Sequence, residues 1–166
     1  MKTADYTLRG TRILIAEDDP IQALNVKEIL RHAGAEIVGP CATLKQTLFM
    51  IRSFPVSAAL LDVNVRDGEI FPAASELLES GAGIVFCTGY ADLDGLQRNW
   101  PAARVLTKPA LPKSLISAVY QASRFASWED CPSLFGAAGT PRENTYSLSE
   151  QEHGKAYRLS VPGYFD

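Results

Sequence analysis

Short apolar runs that alternate with longer segments of helical period are the feature that most constrains this fold. Five such runs occur between residues 12 and 107, and each is followed by a segment that can form a helix. The clearest example is RILIA at 12–16, followed by a periodic segment at 20–33 with Gly34 at the position of a helix C-cap. Apolar runs without alternating polar residues are typical of strands that are buried on both faces.

Five β-α units in series predict a parallel sheet covered by helices on both faces, which is an α/β fold. The size of the units favours the flavodoxin-like arrangement, a doubly wound (βα)5 sheet with strand order 2-1-3-4-5. The fourth helical segment is polar and poorly periodic, so we expect a short helix there at best. The other predicted strands are 35–39, 57–63, 83–88 and 103–107, and the other predicted helices are 43–53, 69–80, 91–100 and 112–126.

The chain divides into three parts. Residues 1–10 form an N-terminal extension, 11–126 hold the five units, and 127–166 form a tail rich in Gly, Pro, Ser and charged residues. The 40 residues of this tail are fewer than a usual folded domain contains, and they carry no recognisable pattern of an output domain. The tail is either disordered or packs its aromatic side chains against the sheet or a partner.

Charge and composition argue against two kinds of partner. The net charge of −3 comes without a basic stripe, so we expect no binding to nucleic acid. No run approaches the roughly 20 apolar residues of a membrane span, and the N-terminus lacks the apolar segment of a signal peptide. Three cysteines without metal-ligand spacing suit a reducing compartment. We therefore expect a cytoplasmic protein with no membrane contact.

Polar residues of three chemical types follow four of the five predicted strands. They are Glu17, Asp18 and Asp19 after the first strand, Asp62 at the third, Thr88 at the fourth and Lys108 after the fifth. Because the carboxyl ends of parallel strands meet at one edge of the sheet, we expect these side chains to lie close together. Each residue alone has a plain structural explanation, such as a helix cap for an aspartate. The joint pattern of acids, hydroxyl and lysine indicates a site.

Carboxylates gathered at one edge need a cation, and hard oxygen ligands suit Mg²⁺. Glu17 and Asp18 would hold this metal, one or both through water, while Asp62 would bind it directly. The backbone carbonyl of Asn64 is also well placed, two residues further along. A carboxylate beside Mg²⁺ can attack a phosphoryl group and form an aspartyl phosphate. The lysine and the hydroxyl at the same edge would stabilise the charge on the phosphoryl oxygens.

The segment that holds the five units resembles the receiver domain of bacterial two-component response regulators. The resemblance rests on four motifs, which read ILIAEDDP, ALLDVNV, VFCTGYAD and VLTKPALP. It implies that Asp62 is the phosphoacceptor and that Glu17 and Asp18 are the acidic pair that binds Mg²⁺. It also implies that Thr88 is the switch hydroxyl and that Lys108 binds the phosphate.

The resemblance extends to two smaller features. The step from Lys108 to Pro109 is similar to the lysine–proline step of the family, where a cis peptide is common. Since the family uses the first two acids of the EDDP motif, Asp19 is left as the cap of a helix that begins at Pro20.

Two further positions near the predicted site are of interest. Val105 departs from the usual family pattern, and Tyr90 has no role assigned by the family. Val105 stands where the family usually has Tyr or Phe, and a valine cannot make the inward rotation by which that aromatic couples to the switch hydroxyl. The VFCTGY run resembles a subgroup with a Phe-Ala-Thr-Gly-like motif, which also lacks this aromatic and tends to lack an output domain. Tyr90, two residues beyond Thr88, is a candidate gating residue or a surface aromatic.

The favoured function is a phosphoacceptor module that changes partner binding. The resemblance implies a histidine kinase or a histidine phosphotransfer protein as the donor, and a downstream regulator or a homodimer as the output. Such a module is not an enzyme beyond its own phosphorylation and dephosphorylation. One alternative is a receiver-like binding module that is not phosphorylated and acts through its tail. The other is an aspartyl-phosphate hydrolase, which would need an acid where Asn64 stands.

Overall fold

Residues 6–89 and 91–124 are described by the computed structural model, and they form a five-stranded parallel sheet with helices on both faces. Tyr90 and the tail at 127–166 lie outside the described residues. The strands are β1 (Arg12–Ala16), β2 (Glu36–Cys41), β3 (Ala58–Leu61), β4 (Asn64–Val65), β5 (Gly68–Glu69), β6 (Gly83–Thr88) and β7 (Arg104–Thr107). The helices are α1 (Pro20–His32), α2 (Leu44–Ser53), α3 (Phe71–Glu79), α4 (Leu93–Asn99) and α5 (Pro112–Arg124).

The order of the main sheet is β2-β1-β3-β6-β7, and all of its neighbouring strands are parallel. Counted among themselves, these five strands have the order 2-1-3-4-5. The predicted flavodoxin-like α/β fold is therefore confirmed. The fourth helix of this arrangement, α4, has only 7 residues, which agrees with the short helix expected from its polar sequence.

The helices cover the two faces of the sheet with separate hydrophobic cores. Alternate residues of a strand point to opposite faces, so Leu14 of β1 belongs to one core and Ile13 to the other. The core that contains Leu14 lies under α2, α3 and α4, and the core that contains Ile13 lies under α1 and α5. Both strand residues are completely buried, as expected for a sheet covered on both sides.

The segment before β1 packs into the second of these cores. Leu8 is completely buried, and its backbone N–H donates to the carbonyl of Ala33 at 2.8 Å. The ring of Tyr6 lies 5.0 Å from the ring of Tyr120 on α5, measured between centroids. The described part of the N-terminal extension therefore closes the α1–α5 side of the domain.

Capping residues fix both ends of α1, the helix that follows the acidic cluster. The side chain of Asp19 accepts hydrogen bonds from the backbone N–H groups of Ile21 and Gln22, so Asp19 is the N-cap and Pro20 the first helical residue. After the helix, Gly34 has a φ of 99°, a left-handed conformation that glycine adopts without strain. The predicted N-cap Asp19 is confirmed, whereas the C-cap is Ala33 and Gly34 follows it by one residue.

A small antiparallel hairpin interrupts the connection between β3 and α3. Asn64 pairs with Glu69, and Val65 pairs with Gly68. The prediction of a helix over 69–80 is wrong at its start, because Glu69 is held in this hairpin and the helix begins at Phe71. Within the described ranges, each helix falls short of the length and apolarity that crossing a membrane requires.

Candidate functional site

The predicted site residues meet at the carboxyl edge of the sheet. Backbone hydrogen bonds hold the strand ends in register. The N–H of Asp62 donates to the backbone carbonyl of Ala16 at 2.9 Å, and the N–H of Lys108 donates to the backbone carbonyl of Thr88 at 3.1 Å. Glu17 continues β1 in the same way, donating from its backbone to Cys41 of β2 at 2.9 Å. The sheet itself therefore sets the spacing of the side chains that project from this edge.

Lys108 joins two of the carboxylates. Its Nζ lies 2.5 Å from Oε2 of Glu17 and 2.6 Å from Oδ2 of Asp62. Burial alone would lower the pKa of the Lys108 ammonium, but the hydrogen bonds to Asp62 and Glu17 outweigh it, and the pKa is raised above its ordinary value. The lysine therefore stays charged and offsets part of the repulsion between the two acids.

Thr88 contacts the other oxygen of Asp62. Its hydroxyl donates to Oδ1 across 3.0 Å, and the Thr88 residue is only 1% exposed. The backbone N–H of Asn64 also points at Oδ1, at the longer distance of 3.4 Å. Each oxygen of Asp62 thus faces a hydrogen-bond donor from a neighbouring segment of the chain.

Three carboxylates form a cluster that fits a divalent cation. One oxygen from each of Glu17, Asp18 and Asp62 can be chosen so that all three lie within 4.8 Å of one another. Glu17 is buried, while Asp18 and Asp62 are half-buried and so keep access to solvent. Three carboxylates and one ammonium, that of Lys108, leave a formal charge of −2. This charge and the all-oxygen donor set suit Mg²⁺.

Asp19 does not belong to this cluster, although it is adjacent to it in sequence. Hydrogen bonds from the backbone and side chain of Gln22, and from the backbone of Ile21, hold the pKa of Asp19 below its ordinary value. The carboxylate of Asp19 is thus hydrogen-bonded to the first turn of α1. The EDDP motif therefore divides into two acids for the cluster and one for the helix.

Two predicted residues remain, Val105 and Tyr90, and a third residue, Cys87, is adjacent to Thr88 in sequence. Val105 pairs in register with Phe86 on β6 and packs, half-buried, against the core under α4. Cys87, next to Thr88, is buried, and this burial raises the pKa of its thiol to about 11. A thiol with that pKa stays protonated near neutral pH, which supports a packing role. The prediction for Tyr90 lies outside the described residues.

Sequence reasoning missed two residues in the turn of the hairpin. Asp67 accepts hydrogen bonds from the backbone N–H groups of Leu44 and Lys45, at 2.5 and 3.1 Å, and so binds the first turn of α2. Arg66 extends the other way, and its Nη2 lies 3.4 Å from the backbone carbonyl of Asp18. The Asp67-Gly68 dipeptide is a turn signal that could have indicated the hairpin.

Comparison with known proteins finds a relative that matches most of the chain. The transcriptional regulatory protein PdtaR of Mycobacterium tuberculosis is 30% identical over 149 residues, which cover 86% of this chain and 71% of PdtaR. No protein-family model matches the chain.

Solved structures show the same architecture. A response regulator receiver protein from Sinorhizobium medicae superposes with a TM-score of 0.65 at 23% identity, over 73% of this chain and all of that one. SdrG from Sphingomonas melonis is 31% identical with a TM-score of 0.58, over 69% of this chain and 96% of that one.

The five-stranded order and the acidic cluster at the sheet edge are those expected of a receiver domain, and the 30% identity to PdtaR over most of both chains shows that this is a signalling module of the two-component type. The chain belongs to the response regulator family.

Proposed function

We propose that this protein accepts a phosphoryl group on Asp62, with Mg²⁺ as the cofactor, and changes its binding to a partner as a result. The observation that carries the proposal is the surroundings of Asp62. Its two oxygens face the hydroxyl of Thr88 and the ammonium of Lys108, and it belongs to the cluster with Glu17 and Asp18. An exposed carboxylate that merely caps a helix would not need this set of neighbours.

Each neighbour has a role in the proposed transfer. Glu17, Asp18 and Asp62 would hold Mg²⁺, together with the backbone carbonyl of Asn64. Bound Mg²⁺ supplies a Lewis acid that neutralises charge on the phosphoryl oxygens. A carboxylate oxygen of Asp62 forms the new bond to phosphorus while the bond from phosphorus to the histidine nitrogen of the donor breaks. The released imidazole takes up a proton.

After the transfer, the hydrogen-bond donors of the site have a new acceptor. The oxygen of Asp62 that bonds to phosphorus loses its negative charge, so the phosphoryl oxygens become the stronger acceptors for Lys108 and Thr88. Movement of the Thr88 hydroxyl toward the phosphoryl group would pull on the end of β6. This displacement is the proposed start of the switch.

The proposed switch must continue without a rotating aromatic at Val105. Phe86, two residues before Thr88, packs against Trp100 with ring centroids 5.6 Å apart, and Trp100 stacks on Phe71 at 5.8 Å. These three rings connect β6 to the end of α4 and the start of α3, so they offer a route from the phosphorylation site to two helices. Tyr90 is a further proposed gating residue.

The proposed partners follow from the family of the chain. A histidine kinase or a histidine phosphotransfer protein would supply the phosphoryl group, and a downstream regulator or a second copy of this chain would read the change. We place this exchange in the cytoplasm. A hydrolase is the weaker candidate, because Asn64 replaces the acid that would have to give and recover a proton.

The test is phosphorylation by a small donor. Wild type, Asp62→Asn and Asp94→Asn are incubated with acetyl phosphate and Mg²⁺ and resolved on a phosphate-affinity gel. Asp94 is a matched control, since it is an exposed carboxylate on α4. We expect a retarded band for wild type and Asp94→Asn, and none for Asp62→Asn. An unmodified wild type, under conditions that label another receiver domain, would favour the binding module that is not phosphorylated.

A further inference from the structure

The hairpin between β3 and α3 holds one residue, Arg66, close to the acidic cluster. Arg66 and Asp67 are the two residues of its turn, because Val65 pairs with Gly68. The backbone of Arg66 is fixed by a hydrogen bond to the carbonyl of Ala42 at 3.1 Å. Asp67 anchors the same turn to the first turn of α2. The Arg66 side chain therefore extends from a braced position.

The guanidinium of Arg66 has no carboxylate partner among the described residues. Its Nη2 instead donates to a neutral acceptor, the backbone carbonyl of Asp18, at 3.4 Å. This distance is longer than that of a typical N–H···O hydrogen bond, so the contact is weak. Asp18 is itself a member of the cluster, which brings the positive charge of Arg66 to the rim of the site.

Phosphorylation changes the charge of this site in a way that calls for one more cation. The cluster with Lys108 has a formal charge of −2, which a divalent cation balances. Transfer replaces the single negative charge of Asp62 by a phosphoryl group with two, so one negative charge is added. Arg66 is a braced cation at the rim of the cluster, and among residues 6–89 and 91–124 it forms no ion pair.

We propose that Arg66 binds the phosphoryl group on Asp62, and so acts as a second phosphoryl-binding cation beside Lys108. This inference rests on the proposed function. A planar guanidinium donates two parallel hydrogen bonds to phosphoryl oxygens, which a backbone carbonyl cannot accept in the same way. In the unphosphorylated protein, the Asp18 carbonyl is the resting contact of this side chain.

The test compares Arg66→Ala and Arg66→Lys with wild type, and uses Arg98→Ala as the control because Arg98 is an exposed arginine on α4. Two quantities are measured for each protein. The first is the initial rate of phosphorylation by acetyl phosphate at saturating Mg²⁺. The second is the Mg²⁺ dissociation constant of the unphosphorylated protein, measured by calorimetry.

We expect Arg66→Ala to slow phosphorylation by about tenfold, and Arg66→Lys to lie between it and wild type, because a lysine keeps the charge but loses the planar pair of donors. Mg²⁺ should bind Arg66→Ala as tightly as wild type or more tightly, since a positive charge has been removed from the rim of the metal site. Arg98→Ala should match wild type in both measurements.

Two results would overturn the inference alone. The first is a wild-type phosphorylation rate in Arg66→Ala. The second is a weakening of Mg²⁺ binding that matches the loss in rate, because Arg66 would then only brace the Asp18 backbone. If wild type itself is not phosphorylated, the proposed function fails and the role of Arg66 fails with it, which distinguishes the two failures.

Discussion

Lys108 Nζ lies 2.6 Å from Oδ2 of Asp62 and 2.5 Å from Oε2 of Glu17, so one side chain after β7 connects the ends of β3 and β1. This ammonium already occupies one side of the acidic cluster in the unphosphorylated protein. Lys108 therefore reduces the negative charge that attracts a metal, and it is also in position to bind the oxygens of a phosphoryl group on Asp62. Lys108 should thus weaken Mg²⁺ binding but favour phosphorylation, and the two effects can be measured separately.

Substitution of the lysine should separate metal binding from phosphorylation. In Lys108→Ala, we expect Mg²⁺ to bind about tenfold more tightly, because a nearby positive charge is lost, while phosphorylation by acetyl phosphate becomes slower. Calorimetry and the phosphate-affinity gel measure the two effects. Lys113→Ala, an exposed lysine on α5, is the control and should behave as wild type. Weaker Mg²⁺ binding in Lys108→Ala would show that this electrostatic account of the site is wrong.

The Thr88 hydroxyl should matter for the transfer but not for the metal. Thr88→Val keeps the shape of the side chain and removes the donor that contacts Asp62. We expect phosphorylation to slow about tenfold, which corresponds to one hydrogen bond to a charged group, with the Mg²⁺ dissociation constant unchanged. Thr88→Ser keeps the hydroxyl and serves as the matched comparison. Equal rates for the valine and serine variants would exclude a role for the hydroxyl in the transfer.

The carboxylate of Asp67 should stabilise the fold in a pH-dependent way. Loss of some hydration around the exposed Asp67 side chain tends to raise its pKa, but hydrogen bonds from the N–H groups of Leu44 and Lys45 outweigh this effect and hold the pKa below its ordinary value. A group with a lowered pKa stabilises the fold above its ordinary pKa, and this contribution is lost as the pH falls through the lowered pKa.

Asp67→Ala should therefore lower the free energy of unfolding by about 1 kcal/mol near neutral pH, as the loss of a helix cap does. Urea unfolding of both proteins at several pH values measures the effect, and the difference should shrink in acid. A difference that does not change down to the most acidic pH at which both proteins remain folded would show that the charge is not responsible.

Leu8 should contribute to stability as a core residue. It is completely buried against the core under α1 and α5, so Leu8→Ala removes packed methyl groups and leaves a cavity. We expect a loss of about 2–5 kcal/mol in the free energy of unfolding, measured by urea denaturation. Leu111→Ala is the matched control, because Leu111 is 71% exposed and its truncation should cost about 0.5 kcal/mol or less. Similar losses in the two variants would contradict this assignment.

The strand-end residues could be predicted from the sequence because topology determines where they lie. Once the apolar runs are recognised as parallel strands, the residues that follow them must meet at one edge, whatever the distance along the chain. This is why Asp62, Thr88 and Lys108 could be expected to lie together from a single sequence. Asp19 could be assigned to the helix for a similarly local reason, since it directly precedes Pro20.

The hairpin and the N-terminal segment could not be predicted in the same way. Strands of two residues, such as those at Val65 and Gly68, are too short to show a period, and the partner of Asp67 lies 22 or more residues away in sequence. Leu8 stands between polar neighbours and has no periodic pattern that would mark it as core. The Asp67-Gly68 dipeptide could have indicated the turn, but the contacts of Asp67 with α2 and the burial of Leu8 depend on long-range packing, which local propensity and spacing do not predict.

Locating the modification in the chain tests most directly whether Asp62 is the residue that is phosphorylated. Wild type is treated with acetyl phosphate and Mg²⁺, the acyl phosphate is reduced with borohydride, and the digested chain is sequenced by mass spectrometry. Reduction converts a phosphorylated aspartate to homoserine. We predict homoserine at position 62 alone. Homoserine at another aspartate, with position 62 unchanged, would contradict the account.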